Sequence, residues 1–342
     1  MAGAQERAGR RRIRGEARAQ ADTGVTTLRV YQSSDAAGLV ACWNKAFAGG
    51  PNFIPISETD LVRRLTGQTA FDAESLLLAE RRGEIVGFTH WGPLTNFWYE
   101  PQERCADSMG GQIWQVVAGP GERALLGELL HAALARLTSV GARRILLYPS
   151  WVHCTQPFYN SVAGAYEYPG LSTAREDLLE EAAAQGFGLQ AEYGTPELDL
   201  TDRAHMHRLR EEAARAEARL RGSHLRVWLR EVRSRFFSDR RAVDLVCGRE
   251  RVATTAYGLW EEYARSHGRL LFGITGVQVA APWRGRGLGK AVMVRALEAA
   301  AAAGAEAAHL HVYRANTVAW NLYHQALGFR STYSWVTLEK PR

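Results

Sequence analysis

The chain has 342 residues, too many for one ordinary core and suited to two domains of about 150 residues each. Its apolar content of 46% is that of a globular protein; no run of 18 or more apolar residues offers a membrane span, and no secretory leader pattern opens it, so a cytoplasmic protein is expected. The net charge is +6, half of it in the first 25 residues, where six Arg face Glu6, Glu16 and Asp22; because Arg outnumbers Lys throughout, Arg10-Arg11-Arg12 reads as part of a solvated tail rather than a nucleic-acid site.

Residues 1–25 show no apolar period and are expected to be a disordered Arg-rich tail. Beyond it, one order of elements is used twice. The first copy, 26–195, opens with a strand at 27–31. Ser34 or Asp35 caps a helix to about Phe47, with Leu39, Cys42, Trp43 and Ala46 on one face. Helical residues at 61–65 follow, then strands at 75–80 and 85–91 around an Arg82-Gly83 turn, and a strand at 112–117. A helix at 125–140, a strand at 144–149, a helix at 173–185 and a closing strand from Phe187 complete the copy.

The second copy, 196–342, repeats that order. A strand at 198–200 leads to a helix capped by Thr201 or Asp202. A second helix is expected at 225–237, then a hairpin of 243–247 and 252–260, and a long strand at 270–279. A helix at 287–303, a strand at 307–313, a helix at 316–326 and a strand at 329–338 end the chain. Hairpins followed by a β-α-β unit give an α/β protein with a mixed, partly parallel sheet in each copy. Cys42, Cys105, Cys154 and Cys247 form no CxxC pair and no zinc spacing, so no metal is expected.

The most informative segment is Val277-Gln278-Val279-Ala280-Ala281-Pro282-Trp283-Arg284-Gly285-Arg286-Gly287-Leu288-Gly289-Lys290. A strand runs through a glycine-rich loop into a helix. The first turn of a helix has N–H groups without intrahelical partners and the positive end of the macrodipole. Glycines let the backbone approach an anion closely, and Arg284, Arg286 and Lys290 add charge. A diphosphate suits such a place. A P-loop is excluded because Ala291 follows Lys290, and a dinucleotide fingerprint because Lys290 stands where the third Gly is needed.

The pattern that fits is Arg284-x-x-Gly287-x-Gly289, which resembles the pyrophosphate loop of GNAT acetyltransferases. A second family element lies at the expected distance, Asn316-x-x-Ala319-x-x-x-Tyr323 followed by Leu327-Gly328-Phe329. The resemblance implies tandem GNAT (acyl-CoA N-acyltransferase) folds, and an acetyl-CoA cofactor. It implies that the backbone of Val277 and Val279 meets the pantetheine arm, with Gln278 between them also at the cofactor. Arg284, Gly285, Arg286, Gly287, Leu288, Gly289 and Lys290 would hold the diphosphate, and Asn316 and Ala319 the other side of the arm. The reaction it implies is direct attack of a small-molecule or peptide amine on the thioester.

For that reaction Tyr323 stands where the family often places an acid, and the Val279 N–H is the candidate oxyanion donor. The base is not legible: 270–279 contains no carboxylate, which leaves Glu261 and Glu262 after the preceding strand, with Tyr257, His267 and Gln278 as further candidates. His309 and His311 share a strand face and are expected in the core or cleft rather than on a metal. The alternative to an enzyme is a non-catalytic acyl-CoA-binding or scaffold protein.

The first copy departs from this pattern. Its corresponding loop, Ala118-Gly119-Pro120-Gly121-Glu122-Arg123, lacks Arg-x-x-Gly-x-Gly and carries an acid where a phosphate would sit; Ala174 and Glu181 take the Asn316 and Tyr323 positions. It is expected not to bind coenzyme A in the usual way, and the aromatic insertion 151–170 either lines a pocket or packs a loop. Tandem members of the family, mycothiol synthase among them, have a similar layout.

Overall fold

The computed structural model describes residues 25–50, 53–68, 71–94, 110–149, 159, 170–219, 225–232 and 239–341. The tail expected at 1–25 except Val25, most of the insertion 151–170, Cys105 and Cys154 lie outside these residues.

The first half runs β1 (Thr26–Val30), α1 (Ala36–Phe47), α2 (Glu58–Leu61), β2 (Leu76–Arg81), β3 (Glu84–Pro93), β4 (Gly110–Ala118), α3 (Arg123–Ser139), β5 (Arg144–Leu147), β6 (Leu171–Ser172) and α4 (Glu176–Ala184). The β2–β3 turn uses left-handed backbone at Arg82 and Gly83, which fits the twist of a tight hairpin. β7 (Gly188–Asp199) then carries the chain into the second half. There follow α5 (Arg203–Ala218), β8 (Leu225–Glu231), β9 (Arg240–Cys247), β10 (Glu250–Leu259), α6 (Glu261–His267) and β11 (Leu271–Val279). The last elements are α7 (Leu288–Ala302), β12 (Ala307–His309), β13 (Val312–Tyr313), α8 (Thr317–Asn321) and β14 (Arg330–Pro341).

All the strands belong to one mixed sheet, in the order β1-β2-β3-β4-β5-β14-β7-β12-β11-β10-β9-β8, with β13 also on β7 and β6 on β14. The pairs β4–β5 and β11–β12 are parallel, one in each half. The two halves interlock: β14, the end of the chain, inserts between β5 of the first half and β7.

The closing strand expected from Phe187 and the opening strand expected at 198–200 are one element, β7. It crosses the expected boundary at 195/196 without a break, because Pro196, which has no N–H for a ladder, sits at an irregularity of the β7–β14 register. The helix expected at 225–237 is corrected: its described part is the edge strand β8. Leu225, Val227 and Leu229 alternate with Arg226, Trp228 and Arg230, a period of two that favours a pleated strand on β9.

The core divides with the halves. One buried cluster holds Trp43, Leu76, Leu126, Leu129 and their neighbours, and a second holds Val243, Leu245, Met293 and Leu297. A small third cluster joins them, in which Ile54 meets Trp260, Tyr263, Leu271 and Ala307. α7 is rich in Ala and buries Leu288, Ala291, Val292, Met293, Ala296, Leu297 and Ala300. Small side chains let it lie close to the sheet on one side and to α5 on the other. None of the described helices is long and apolar enough to cross a membrane.

Candidate active site

β11 and β12 pair only over Leu271–Gly273 and Ala307–His309, and then part. Past His309 the chain turns to β7, where Val312 and Tyr313 pair with Gly194 and Tyr193. The later part of β11 thus has β10 on one side and, among the described residues, no strand on the other.

The ladder fixes which groups face that gap. Ala280 N–H donates to Val252 O at 2.9 Å, and Gln278 lies opposite Thr254. Alternation in an antiparallel pair then turns Gln278's backbone toward β10 and that of Val279 into the gap, while Val277 lies in the β-bulge that follows, beside the left-handed Gly276. Gln278 reaches the groove through its side chain, which is exposed there.

The gap widens into a groove of about 990 Å³. Its lining brings together Val277, Gln278, Val279, Arg284, Gly285, Gly287, Leu288, Gly289, Lys290, Asn316, Ala319 and Tyr323, all expected from the sequence. It adds Arg251, Ala253 and Thr254, which only the β10–β11 register places here, and Trp283, Val318 and Leu322.

At one end the chain turns from β11 into α7. Gly285 and Gly287 adopt φ +74° and +80°, left-handed backbone that L side chains avoid. Arg284 N–H is bonded to Ala281 O at 3.3 Å, which removes it from the expected cradle. The first helical bond of α7 is Ala291 N–H to Gly287 O at 3.0 Å. Among the described residues the amides from Gly285 to Lys290 have no backbone acceptor, and five of these six residues, all but Arg286, line this end of the groove, a place suited to an anion. The cradle is also shaped by what is missing: a Cβ at Gly289 would project toward Leu322 at 3.5 Å and Val279 at 3.7 Å, into the groove.

Charge at this end comes from two of the three expected cations. Lys290 is ion-paired with Glu212 of α5, so its charge is largely spent within the protein. Arg284 Nε donates to Val279 O at 3.2 Å, and the Arg286 guanidinium lies 5.1 Å from the Trp283 ring centre, off the groove wall but beside its mouth. Glu217 holds Arg295 through two bonds of 2.9 and 2.7 Å. With Glu212–Lys290 this clamps α7 to α5 and fixes where the turn points.

On the far wall, Asn316 Oδ1 caps α8 by accepting Ala319 N–H at 3.2 Å. That leaves its amide NH₂, not its oxygen, for the groove. After α8 the helix widens to a π turn over Leu322–Ala326, closed by Leu327 N–H to Leu322 O at 3.0 Å. π turns concentrate at functional sites because they displace one side chain, and this one carries Tyr323. The Tyr323 ring is buried against Phe329 while the residue still lines the groove, and burial pushes its phenol up to about 12.

The expected bases are not brought here. Glu261 and Glu262 lie in the first turn of α6, where Trp260 N–H bonds Leu271 O at the opposite end of β11 from Val277 and Val279. Glu262 is ion-paired with Arg64 of the first half. Their acceptor-side role is corrected: 7 residues of extended strand, about 24 Å, separate Phe272 from Val279. Tyr257 packs against Phe272 in the core, and His267 stacks on Tyr263 at the end of α6. Glu262→Gln is expected to leave turnover within about two-fold and to lower stability by about 1 kcal/mol, since the pair is a quarter exposed. Steady-state kinetics beside a urea melt checks both; a hundred-fold loss of turnover would restore Glu262 as the base.

His309 is buried against Trp260, and Thr195 Oγ1 lies 2.8 Å from His311 Nδ1. Burial holds both imidazoles well below the usual range, His311 at about 3. They are neutral side chains at neutral pH. No three metal-ligating side chains cluster among the described residues.

Residues 209–329 match the acetyltransferase (GNAT) family. The chain is 35% identical over 129 residues to a mycothiol acetyltransferase of Sanguibacter keddieii, a match covering 36% of this chain and 38% of that one. With the mycothiol acetyltransferase of Streptomyces bingchenggensis it shares 33% over 120 residues, 32% of this chain and 37% of the other. The similarity thus spans well under half the length of these curated relatives. The whole chain resembles a tandem GNAT protein from the clavulanic acid biosynthesis pathway, with TM-score 0.56, 14% identity, and coverage of 93% and 98% of the two chains. A GCN5-related N-acetyltransferase from Sphaerobacter thermophilus gives TM-score 0.53 at 13% identity over 92% and 95%. At such identities the likeness shows the fold: a mixed α/β tandem GNAT fold.

Proposed function

We propose, from the premise that residues 209–329 belong to the acetyltransferase (GNAT) family, that the chain is an acetyl-CoA-dependent N-acetyltransferase whose C-terminal half does the chemistry. The acceptor is a primary amine of a small molecule or peptide. The observation that carries this reading is the glycine-rich turn 285–290, whose amides have no backbone acceptor among the described residues, at the end of a groove whose other walls are a strand edge and a phenol.

Each wall has a chemical use. The turn and the positive end of α7 bind the diphosphate, with Arg284 and Arg286 beside it. Val277 and Val279 offer backbone groups to the amides of the pantetheine arm, and the Val279 N–H is the donor nearest the place where negative charge develops on the acyl oxygen. Asn316 donates from the far wall. Acetyl-CoA, when bound, supplies the activated acyl carbon. Tyr323 remains a phenol at neutral pH and donates a hydrogen bond to the departing sulfur.

None of the titratable groups weighed as the base reaches the groove, so the reading assigns deprotonation of the amine to solvent. It follows that kcat/KM falls tenfold per pH unit below the acceptor's own pKa, about 10.4 for a lysine-like amine. Acceptors of lower pKa move the limb down one for one. A limb fixed at one pH for all amines would instead reveal a protein base.

The direct test is thiol release from acetyl-CoA in the presence of a panel of amines. Amine-dependent turnover supports the proposal. Saturable binding of acetyl-CoA with no turnover on any amine favours the non-catalytic acyl-CoA-binding alternative.

A further inference from the structure

The first half contains the same divergence of two parallel strands. β4 and β5 pair from Gly110 and Arg144 to Ile113 and Leu147, and then part, as β11 and β12 do. In the second half the gap is the groove. In the first half the residue directly after the last pair, Tyr148, sends its side chain into the gap. Tyr148 N–H donates to Ile113 O at 2.8 Å. Its hydroxyl donates to Val116 O at 2.9 Å and accepts Val116 N–H at 3.1 Å. The ring is 3% exposed, and burial pushes the phenol up to about 12, so it keeps the proton it donates.

Two features mark this as a filled groove rather than ordinary packing. Tyr148 has φ +50°, one of two positive-φ residues other than Gly among the described residues, and a backbone state of about 1–2 kcal/mol for a bulky side chain. The other is Arg82, in a hairpin turn. In addition, one hydroxyl satisfies both the N–H and the C=O of a single mid-strand residue. A secondary amide laid along the edge would satisfy the same two groups. The corresponding helix start carries an acid: Glu122 stands before the first turn of α3 and is held by Arg81 through bonds of 2.8 and 3.1 Å.

We infer that the first half retains a pantetheine-type groove that Tyr148 holds shut, its hydroxyl standing in for an amide of the arm. The inference rests on the reading of the second half's groove as the pantetheine groove. It makes the protein a one-site enzyme with a latent second site of defined chemistry: a slender chain bearing secondary amides, without a diphosphate. Tyr148 also lines a neighbouring cavity of about 330 Å³, with Phe47, Phe53, Gln115 and Trp335.

The full chain is used for the test, with Tyr148→Gly and Tyr148→Phe, and NMR hydrogen exchange is read at the Val116 amide. Gly suits φ +50° and takes away the ring; Phe keeps the ring and removes the hydroxyl. Exchange at Val116 is expected to speed at least tenfold in both variants. Millimolar pantetheine is expected to slow it again at least tenfold in Tyr148→Gly and to leave the wild type and Tyr148→Phe unchanged. Exchange in a folded Tyr148→Gly that pantetheine does not alter would overturn the inference. Calorimetry of the wild type with coenzyme A needs no variant: one equivalent per chain is expected, and two would overturn the inference even if Tyr148→Gly fails to fold. No binding at all would refute the second-half reading, while the exchange experiment still decides the role of Tyr148.

Discussion

Gly287→Glu is expected to weaken coenzyme A binding at least 100-fold, about 2.7 kcal/mol, with little loss of the fold. Two effects act on binding, a contact and a charge, beside a backbone strain that is common to the bound and free states. Gly287 has φ +80°, so a side chain there is strained by about 1–2 kcal/mol in the bound and free states alike. A Cβ would lie 3.2 Å from the Ala216 Cβ, so α5 must give way by a few tenths of an ångström or the loop must move. Either shift disperses the amides that converge on one anion. The new carboxylate then places a negative charge beside a diphosphate. Calorimetric affinity within a few-fold of wild type would refute the phosphate assignment of the loop. Gly287→Ala separates the terms, since it keeps the strain and the contact without the charge, and should lose roughly tenfold.

Tyr323→Phe is expected to lower kcat by about 100-fold while the dissociation constant for coenzyme A changes less than threefold. The split follows from the geometry: the ring packs against Phe329 in either variant, and only the hydroxyl is lost. A phenol at about 12 does not readily surrender its proton to a thiolate, whose thiol ordinarily titrates near 8.5. It stabilises the sulfur by a hydrogen bond as charge leaves the carbonyl. For the same reason Tyr323 imposes no alkaline loss of rate until the pH approaches 12. Pre-steady-state measurement is required where product release limits turnover. An unchanged chemical step would remove Tyr323 from the reaction.

The glycine-rich turn of the candidate site is legible in the sequence because its geometry is local. Gly285, Gly287 and Gly289 specify the backbone, and the strand and helix on either side specify where the amides point. Tyr323 and Asn316 were legible through their spacing in one short helix. What could not be read depended on distant partners. Glu262 is committed to Arg64, 198 residues away in the chain, and Lys290 to Glu212. Both pairs exist only because helices from separate segments pack together. β8 was misread because Arg, Leu and Trp suit either structure over a short span, and pairing with β9 decided between them. β7 stands in the sequence as two strands, one closing the first copy and one opening the second, whereas the structure runs them together through an irregular register at Pro196. The filled groove around Tyr148 leaves no signature in its residue type; it needed the meeting of Val116 and the end of β5.

Hydrogen–deuterium exchange of the full chain with and without saturating acetyl-CoA addresses the central assignment most directly. The amides of Gly285 to Lys290 are expected to slow by at least tenfold on binding, together with Val277 and Val279, while the first half's loop at 118–123 stays unchanged. Exchange at 285–290 that is the same in both states, with acetyl-CoA demonstrably bound, would contradict it.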